Sequence, residues 1–88
     1  MSVISPFLDE SGRLIQYPAR RAKQLVALKY LATKFEPERR YTEKEVNDLL
    51  NQWHMFKDWA LLRRDLHDSG FLGRSVDGSA YWLNEEVN

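Results

Sequence analysis

The segment Thr42-Glu43-Lys44-Glu45 constrains the fold more than any other part of the chain, because it is a capping box. The Thr42 hydroxyl can accept a hydrogen bond from the Glu45 N–H, and the Glu45 carboxylate can accept one from the Thr42 N–H. Upstream, Pro37 disfavours helical backbone at the residue before it. One helix must therefore end before Pro37 and another begin after Thr42, with Arg39–Tyr41 as a short extended link.

Hydrophobic periodicity predicts three helices around this break. The first covers residues 19–34, directly after Pro18, which suits a first helical turn because it lacks an N–H. The second follows the capping box to about Gln52, and the third follows Asp58 as its N-cap and ends at Gly70. The expected buried faces carry apolar residues three and four positions apart: Ala22, Leu25, Val26, Leu28, Ala32 and Phe35, with Tyr30 and Leu31 widening the stripe; Val46, Leu49, Leu50 and Trp53; and Trp59, Leu62 and Leu66.

Two glycine-containing turns predict β-hairpins near the two ends of the chain. In the C-terminal part, residues 71–75 and 80–83 flank Asp77-Gly78, which is a strong signal for a tight hairpin turn. In the N-terminal part, the apolar pairs Phe7-Leu8 and Leu14-Ile15 flank a polar stretch that contains Gly12. We therefore predict a hairpin at each end.

Together these elements predict an α+β fold of the winged helix-turn-helix type, with three helices, a small antiparallel sheet or wing, and an N-terminal hairpin or arm. One domain is expected over residues 1–88, with the arm at 1–17, the winged-helix body at 18–84 and a polar tail at 85–88. The link Arg39–Tyr41 is expected to pair with the C-terminal hairpin and complete a three-stranded sheet. Without cysteine to crosslink them, 88 residues must rely on one compact core.

Several blocks of the sequence resemble a bacterial family of domains of unknown function. That family is found alone, or appended to helix-turn-helix regulators of the arsenical-repressor type and to acetyltransferase-like proteins. The resemblance runs from about residue 7 to about residue 83 and implies a transcriptional context without a mechanism. The chain departs from the family pattern at Lys57, where glycine is frequent, and this implies a different loop shape before the third helix. The blocks that carry the resemblance are Phe7-Leu8-Asp9, Gly12-Arg13-Leu14, Pro18-Ala19-Arg20-Arg21, Phe35-Glu36-Pro37, Tyr41-Thr42-Glu43-Lys44-Glu45-Val46-Asn47, Leu62-Arg63-Arg64-x-Leu66 and Asp77-Gly78-Ser79-x-Tyr81-Trp82.

Many chemistries are excluded by the residues that the sequence lacks. The absence of cysteine removes thiolate catalysis, disulfides and Cys-ligated metals. The two histidines, His54 and His67, do not have the spacing of a helical zinc motif, and the four glycines form no phosphate-binding loop. We therefore expect no enzyme activity, no metal, no cofactor and no small-molecule substrate. No apolar run is long enough to cross a membrane and the N-terminus is unlike a signal peptide, so we expect a cytoplasmic protein.

Arginines are the strongest candidates for a functional surface. On the third helix, Arg63 and Arg64 are expected to face outward, where a guanidinium group suits guanine edges or phosphates. The leading hypothesis is therefore a DNA-binding winged-helix domain in transcription regulation. Further contacts with the DNA backbone are expected from Arg74, Ser75 and Ser79 on the C-terminal hairpin and, peripherally, from Arg39 and Arg40.

An opposite interpretation of the same arginines is structural. Asp58, Asp65 and Asp68 accompany them, so the third helix has no excess of positive charge, and the phosphates of DNA repel carboxylates. The chain as a whole carries thirteen basic and thirteen acidic residues. Arg63 and Arg64 therefore either contact DNA or pair with carboxylates of the second and third helices.

Aromatic residues support an alternative function, a protein-interaction or dimerisation module without DNA binding. Residues that alternate along a strand point to opposite faces, so one of Tyr81 and Trp82 is expected to be exposed as an anchor for a partner. Of the tryptophans, Trp59 and Trp82 are nevertheless expected in the core. The N-terminal arm is longer than a winged helix requires, and it either completes the sheet, swaps between subunits or covers the aromatic face.

Overall fold

A computed structural model describes residues 5–84 of the chain. Three helices are followed by a two-stranded antiparallel hairpin, which we call the wing, so the predicted α+β layout is confirmed. The predicted tail at 85–88 lies outside the described residues. In chain order the elements are a short 3-10 helix (Ser5–Phe7), α1 (Arg21–Ala32), α2 (Glu43–Trp53), α3 (Trp59–Asp68), β1 (Leu72–Arg74) and β2 (Tyr81–Leu83).

The capping box forms as predicted at the start of α2. The Glu45 N–H donates to Thr42 Oγ1 over 3.1 Å, and the Thr42 N–H donates to Glu45 Oε1 over 2.8 Å. Behind this cap, Val46 and Leu50 are fully buried. A local hydrogen-bond pattern therefore fixes both the start of α2 and the face that it buries.

The buried face of α1 differs from the predicted one at its first turns, while Ala32 and, just after the helix, Phe35 are buried as predicted. Ala27, Leu28 and Leu31 are completely buried, whereas Ala22 is exposed and Leu25 keeps 40% of its surface accessible. The apolar stripe of α1 is wide, so periodicity alone did not fix its centre. Packing against α3 decides which part of the stripe is covered.

The sheet is smaller than the three strands predicted. The wing pairs Leu72 with Leu83 and Arg74 with Tyr81. The third strand is reduced to one residue, because Tyr41 and Tyr81 exchange two backbone hydrogen bonds of 2.8 Å but α2 begins immediately after Thr42. The helix cap thus ends the pairing after a single bridge.

The N-terminal arm forms the predicted turn but packs elsewhere than on the wing sheet. Leu8 and Leu14 pair across a turn in which Gly12 has a φ of +82°, a conformation that favours glycine. The Leu14 N–H donates to the Trp53 carbonyl, and the Leu14 carbonyl accepts from the Met55 N–H. The arm therefore closes over the α2–α3 connection, with Leu14 fully buried.

His54 joins the end of α2 to the start of α3. Its ring is 1% exposed, with Nδ1 2.6 Å from the Leu50 carbonyl oxygen and Nε2 accepting from the Asp58 N–H over 2.9 Å. A carbonyl can only accept and an N–H can only donate, so the ring is the neutral tautomer with its hydrogen on Nδ1. Asp58 occupies the predicted N-cap position, but its side chain makes no capping bond and the ring of His54 meets its backbone instead.

Replacement of His54 by alanine should lower the free energy of unfolding by about 2–4 kcal/mol, because it leaves a buried carbonyl and the Asp58 N–H without partners and opens a cavity. The matched control is His67→Ala, at a part-exposed position of α3, with an expected change of about 0.5 kcal/mol or less. Urea unfolding of both variants measures the difference. Equal effects at the two positions would contradict the bridging role of His54.

Lys57, also in the α2–α3 connection, has an unusual backbone conformation. Its φ of +53° lies in the left-handed region, where a residue with a Cβ atom is strained and glycine is not. Lys57→Gly should raise the free energy of unfolding by about 0.5–1 kcal/mol, since strain relief exceeds the added entropy of the unfolded chain. Lys23→Gly within α1 should instead lower it by about 1 kcal/mol, and both are measured by denaturant unfolding.

Candidate nucleic-acid interface

A concave surface lies between α3 and the wing. The cavity has a volume of about 420 Å³, and we call it the α3–wing cavity. Three guanidinium groups, one imidazole and a single carboxylate belong to its lining, so it is locally cationic. Its residues are Arg63, Arg64, His67 and Asp68 of α3, Arg74 of β1 and Tyr81 of β2.

The helical spacing of α3 brings its four lining residues to this side. Leu62 and Leu66 are fully buried against the core. Arg63 and His67, which directly follow these two leucines, therefore lie on one flank of the helix. Arg64 and Asp68, one position later, face further outward. This places Arg63 and His67 beside the core and leaves Arg64 at the outer rim.

Arg63 is held by α2, as the structural interpretation of the two arginines predicted, and does not project freely. Its Nη1 donates to the Asn47 side-chain oxygen, and its Nη2 lies 4.0 Å from a Glu43 carboxylate oxygen. Only 20% of the Arg63 side chain is exposed. Arg63 thus connects α2 to α3 and offers the cavity one edge of a fixed guanidinium group.

Arg64 is far more accessible. Its side chain is 80% exposed, and its Nε lies 3.7 Å from Asp68 Oδ2, one helical turn further along α3. An exposed ion pair of this kind contributes little to stability and is easily exchanged for another anion. Arg64 is therefore the α3 guanidinium group best able to reach a ligand.

Arg74 approaches the cavity from the wing. A Cβ atom on Gly78 would lie 3.3 Å from Arg74 Nη2, so the guanidinium group runs along the hairpin turn. Gly78 itself has a φ of +76°, as the predicted hairpin turn requires. The small residue at the turn thus leaves room for Arg74 beside the cavity.

The two wing serines are engaged within the turn. Asp77 Oδ1 accepts from the Ser79 N–H and from the hydroxyl groups of Ser79 and Ser75. These hydrogen bonds lower the pKa of the Asp77 carboxyl group to about 2, and the one from the Ser79 N–H has the largest effect. Ser75 and Ser79 therefore use their hydroxyl donors internally rather than presenting them to a ligand.

The opposite flank of α3 is occupied by α1 and the arm. Asp65 accepts from the Tyr17 hydroxyl over 2.7 Å and lies 3.8 Å from Arg21 Nη1, while Arg21 Nη2 donates to the Ser69 hydroxyl. Burial and the bond to Asp65 both raise the pKa of Tyr17 above its ordinary value. Asp65 is thus directed away from the α3–wing cavity.

Arg39 and Arg40 are not part of the lining of this cavity. Arg39 pairs with Glu36 over 2.8 Å, and the Arg40 guanidinium group lies 4.8 Å from the centre of the Trp82 ring. Tyr81 is 4% exposed, which makes it a core residue and corrects its assignment as a partner anchor.

Trp82 lies half-buried on the outer face of the wing, which corrects the prediction that it belongs to the core. Its indole packs so closely on Gly73 that a Cβ there would overlap the ring. Trp59, by contrast, packs against the core as predicted. Of the two aromatics of β2, Trp82 is therefore the more accessible and Tyr81 the buried one.

Within residues 5–84, no three His, Cys, Asp or Glu side chains are grouped so that they could hold a metal ion. Over the same range, the helices are too short and too polar to cross a membrane.

Comparisons with known proteins give one match. A family model described as an uncharacterized protein conserved in bacteria (DUF2087) matches residues 13–83. Neither the curated proteins nor the solved structures contained a match. The matched range covers the described chain from Arg13 of the arm to the last residue of β2.

Proposed function

The chain belongs to this bacterial family, DUF2087, and we propose that it binds duplex DNA through the α3–wing cavity. The observation that carries the proposal is the convergence of Arg63, Arg64 and Arg74 on one concave surface between α3 and the wing. These residues come from positions 63 to 74, and no local pattern requires them to meet. The transcriptional context that the sequence blocks imply by resemblance is in keeping with this proposal.

Local charge supports DNA binding better than total charge does. Taken together, α2 and α3 carry more carboxylates than basic side chains, and the whole chain has no net formal charge. Exposed charges separated by more than about 8–10 Å are largely screened at moderate salt, so the groups nearest to a phosphate dominate. In the cavity, three guanidinium groups are opposed by Asp68 and, at 4.0 Å from Arg63, by Glu43.

The three arginines take different parts in the proposed complex. Arg64, the most exposed, reaches guanine edges or phosphates when α3 lies in a major groove. Arg74 meets the phosphate backbone beside the wing. Arg63 contributes a fixed positive charge while Asn47 holds its orientation. Arg39 and Arg40 remain peripheral phosphate contacts in this proposal.

A second candidate function is association with a protein partner. The observation that favours it is the half-buried Trp82, which lies on the outer face of the wing under the Arg40 guanidinium group. A flat aromatic beside a cation is a common anchor at protein interfaces. On this alternative, Trp82→Ala abolishes a concentration-dependent dimer in sedimentation equilibrium, and a monomer at all concentrations counts against the homodimer.

DNA binding is tested by titration of a labelled random duplex of about 20 base pairs at salt concentrations of about 50 and 150 mM. The double variant Arg64→Ala/Arg74→Ala should weaken binding about tenfold or more at the lower salt. It should also reduce the slope of log affinity against log salt by about 0.9 for each phosphate that the variant no longer neutralises. The matched control is Arg20→Ala, at the start of α1 and outside the cavity, which should leave both quantities nearly unchanged.

Two outcomes would defeat the proposal. One is the absence of any binding by the native chain at about 50 mM salt, where phosphate contacts are strongest. The other is equal affinity for the double variant and the native chain, with circular dichroism showing both folded.

Asp68 offers a test in the opposite direction. Its carboxylate lies 3.7 Å from Arg64 Nε and within the cavity, where it competes with a phosphate for that guanidinium group. Asp68→Asn should therefore raise DNA affinity by about twofold to fivefold, equivalent to roughly 0.5–1 kcal/mol. Asp48→Asn on the far side of α2 is the matched control, and the same titration measures both. Weaker binding by Asp68→Asn would show that the carboxylate supports the complex instead.

A further inference from the structure

His67 supplies the imidazole group in the lining of the α3–wing cavity. It follows Arg63 by one helical turn, on the flank of α3 that faces the wing. Its side chain is 40% exposed, and its Nδ1 lies 3.5 Å from Asp68 Oδ1. Both histidines of the chain are described, and only His67 is accessible, because His54 is sealed between α2 and α3.

We propose that His67 is a fourth phosphate contact in this cavity, and that it takes up a proton when DNA binds. The inference rests on the proposed function and adds a regulation to the same site, namely binding that strengthens as the pH falls. Histidine suits this role because its side chain, with its ordinary pKa, gains or loses a positive charge between pH 5 and 8.

The charges that face His67 produce the coupling. From its own helix, the positive charges of Arg63 and Arg64 and the negative charge of Asp68 line the cavity beside it. From β1, Arg74 adds a further positive charge, and Tyr81 of β2 adds a neutral hydroxyl group. An arriving phosphate adds negative charge among these groups and so shifts the balance toward the protonated ring.

The hydrogen-bonding capacity of the ring also changes with its charge. A neutral imidazole has one donor and one acceptor, and the acceptor nitrogen is repelled by phosphate oxygens. In the imidazolium form both nitrogens donate, so one can stay with Asp68 while the other donates to a phosphate oxygen. The proton comes from solvent, and no covalent bond other than the new N–H is made.

The experiment is isothermal titration calorimetry of the native chain with a random duplex of about 20 base pairs, at about pH 6.5 and low salt, in two buffers with different ionisation enthalpies. The dependence of the observed heat on the buffer gives the number of protons taken up. We expect uptake of up to about one proton by the native chain, and an affinity that rises about threefold to tenfold from pH 7.5 to pH 5.5. His67→Gln should show no uptake and a flat profile over the same range.

The outcomes separate this inference from the proposed function. If DNA binds and His67→Gln keeps the native proton uptake and pH profile, the role of His67 is overturned while DNA binding stands. If the native chain does not bind the duplex at low salt at any pH in the range, both proposals fall. Circular dichroism of His67→Gln confirms that a flat profile reflects a folded chain.

Discussion

The hydrogen bonds of the buried His54 ring between α2 and α3 are the interaction on which the rest of the structure depends. His54 satisfies a carbonyl at the end of α2 and an N–H at the start of α3, so a single buried ring fixes how one helix follows the other. Leu14 seals it from outside through two backbone hydrogen bonds, and Arg13 Nη2 donates to the His54 carbonyl over 2.8 Å. Because burial of an unpaired backbone group is costly, this arrangement strongly favours one helix-turn-helix geometry.

That geometry places Asp65 and Arg63 of α3 on opposite flanks of the helix. The helix has no net positive charge in sequence, yet its two flanks meet different neighbours. Asp65 is bound by Tyr17 and Arg21 on the side of α1, whereas Arg63 is bound by Asn47 on the side of α2. A helix that is balanced along its length thereby becomes one-sided in space, with its accessible arginine next to the wing. Total charge is a poor guide to such a surface because screening leaves only near groups effective.

The wing and the arm each add buried residues to the small core, at opposite ends of α2. Tyr41 and Tyr81 connect the wing to the start of α2 through a single bridge, and both rings are buried. The arm covers the opposite end of α2 and adds Leu14 to the core. In a chain of 88 residues without cysteine, these two attachments let three short helices bury enough apolar surface. They also leave the concave side between α3 and the wing open.

Sequence by itself determined the features that depend only on residues a few positions apart in the chain. These are the capping box at Thr42, the helix end at Gly70 and the hairpin turn at Gly78. It also identified the arginines that line the cavity, because their residue type suits anions. Only the tertiary structure decided which arginine of α3 is accessible and which histidine is buried. The partners of Arg63, Arg13 and Tyr17 lie 16, 41 and 48 positions away, and periodicity carries no information over such separations. The same reason explains the rotated face of α1, since a wide apolar stripe becomes a particular buried face only when a second helix packs on it.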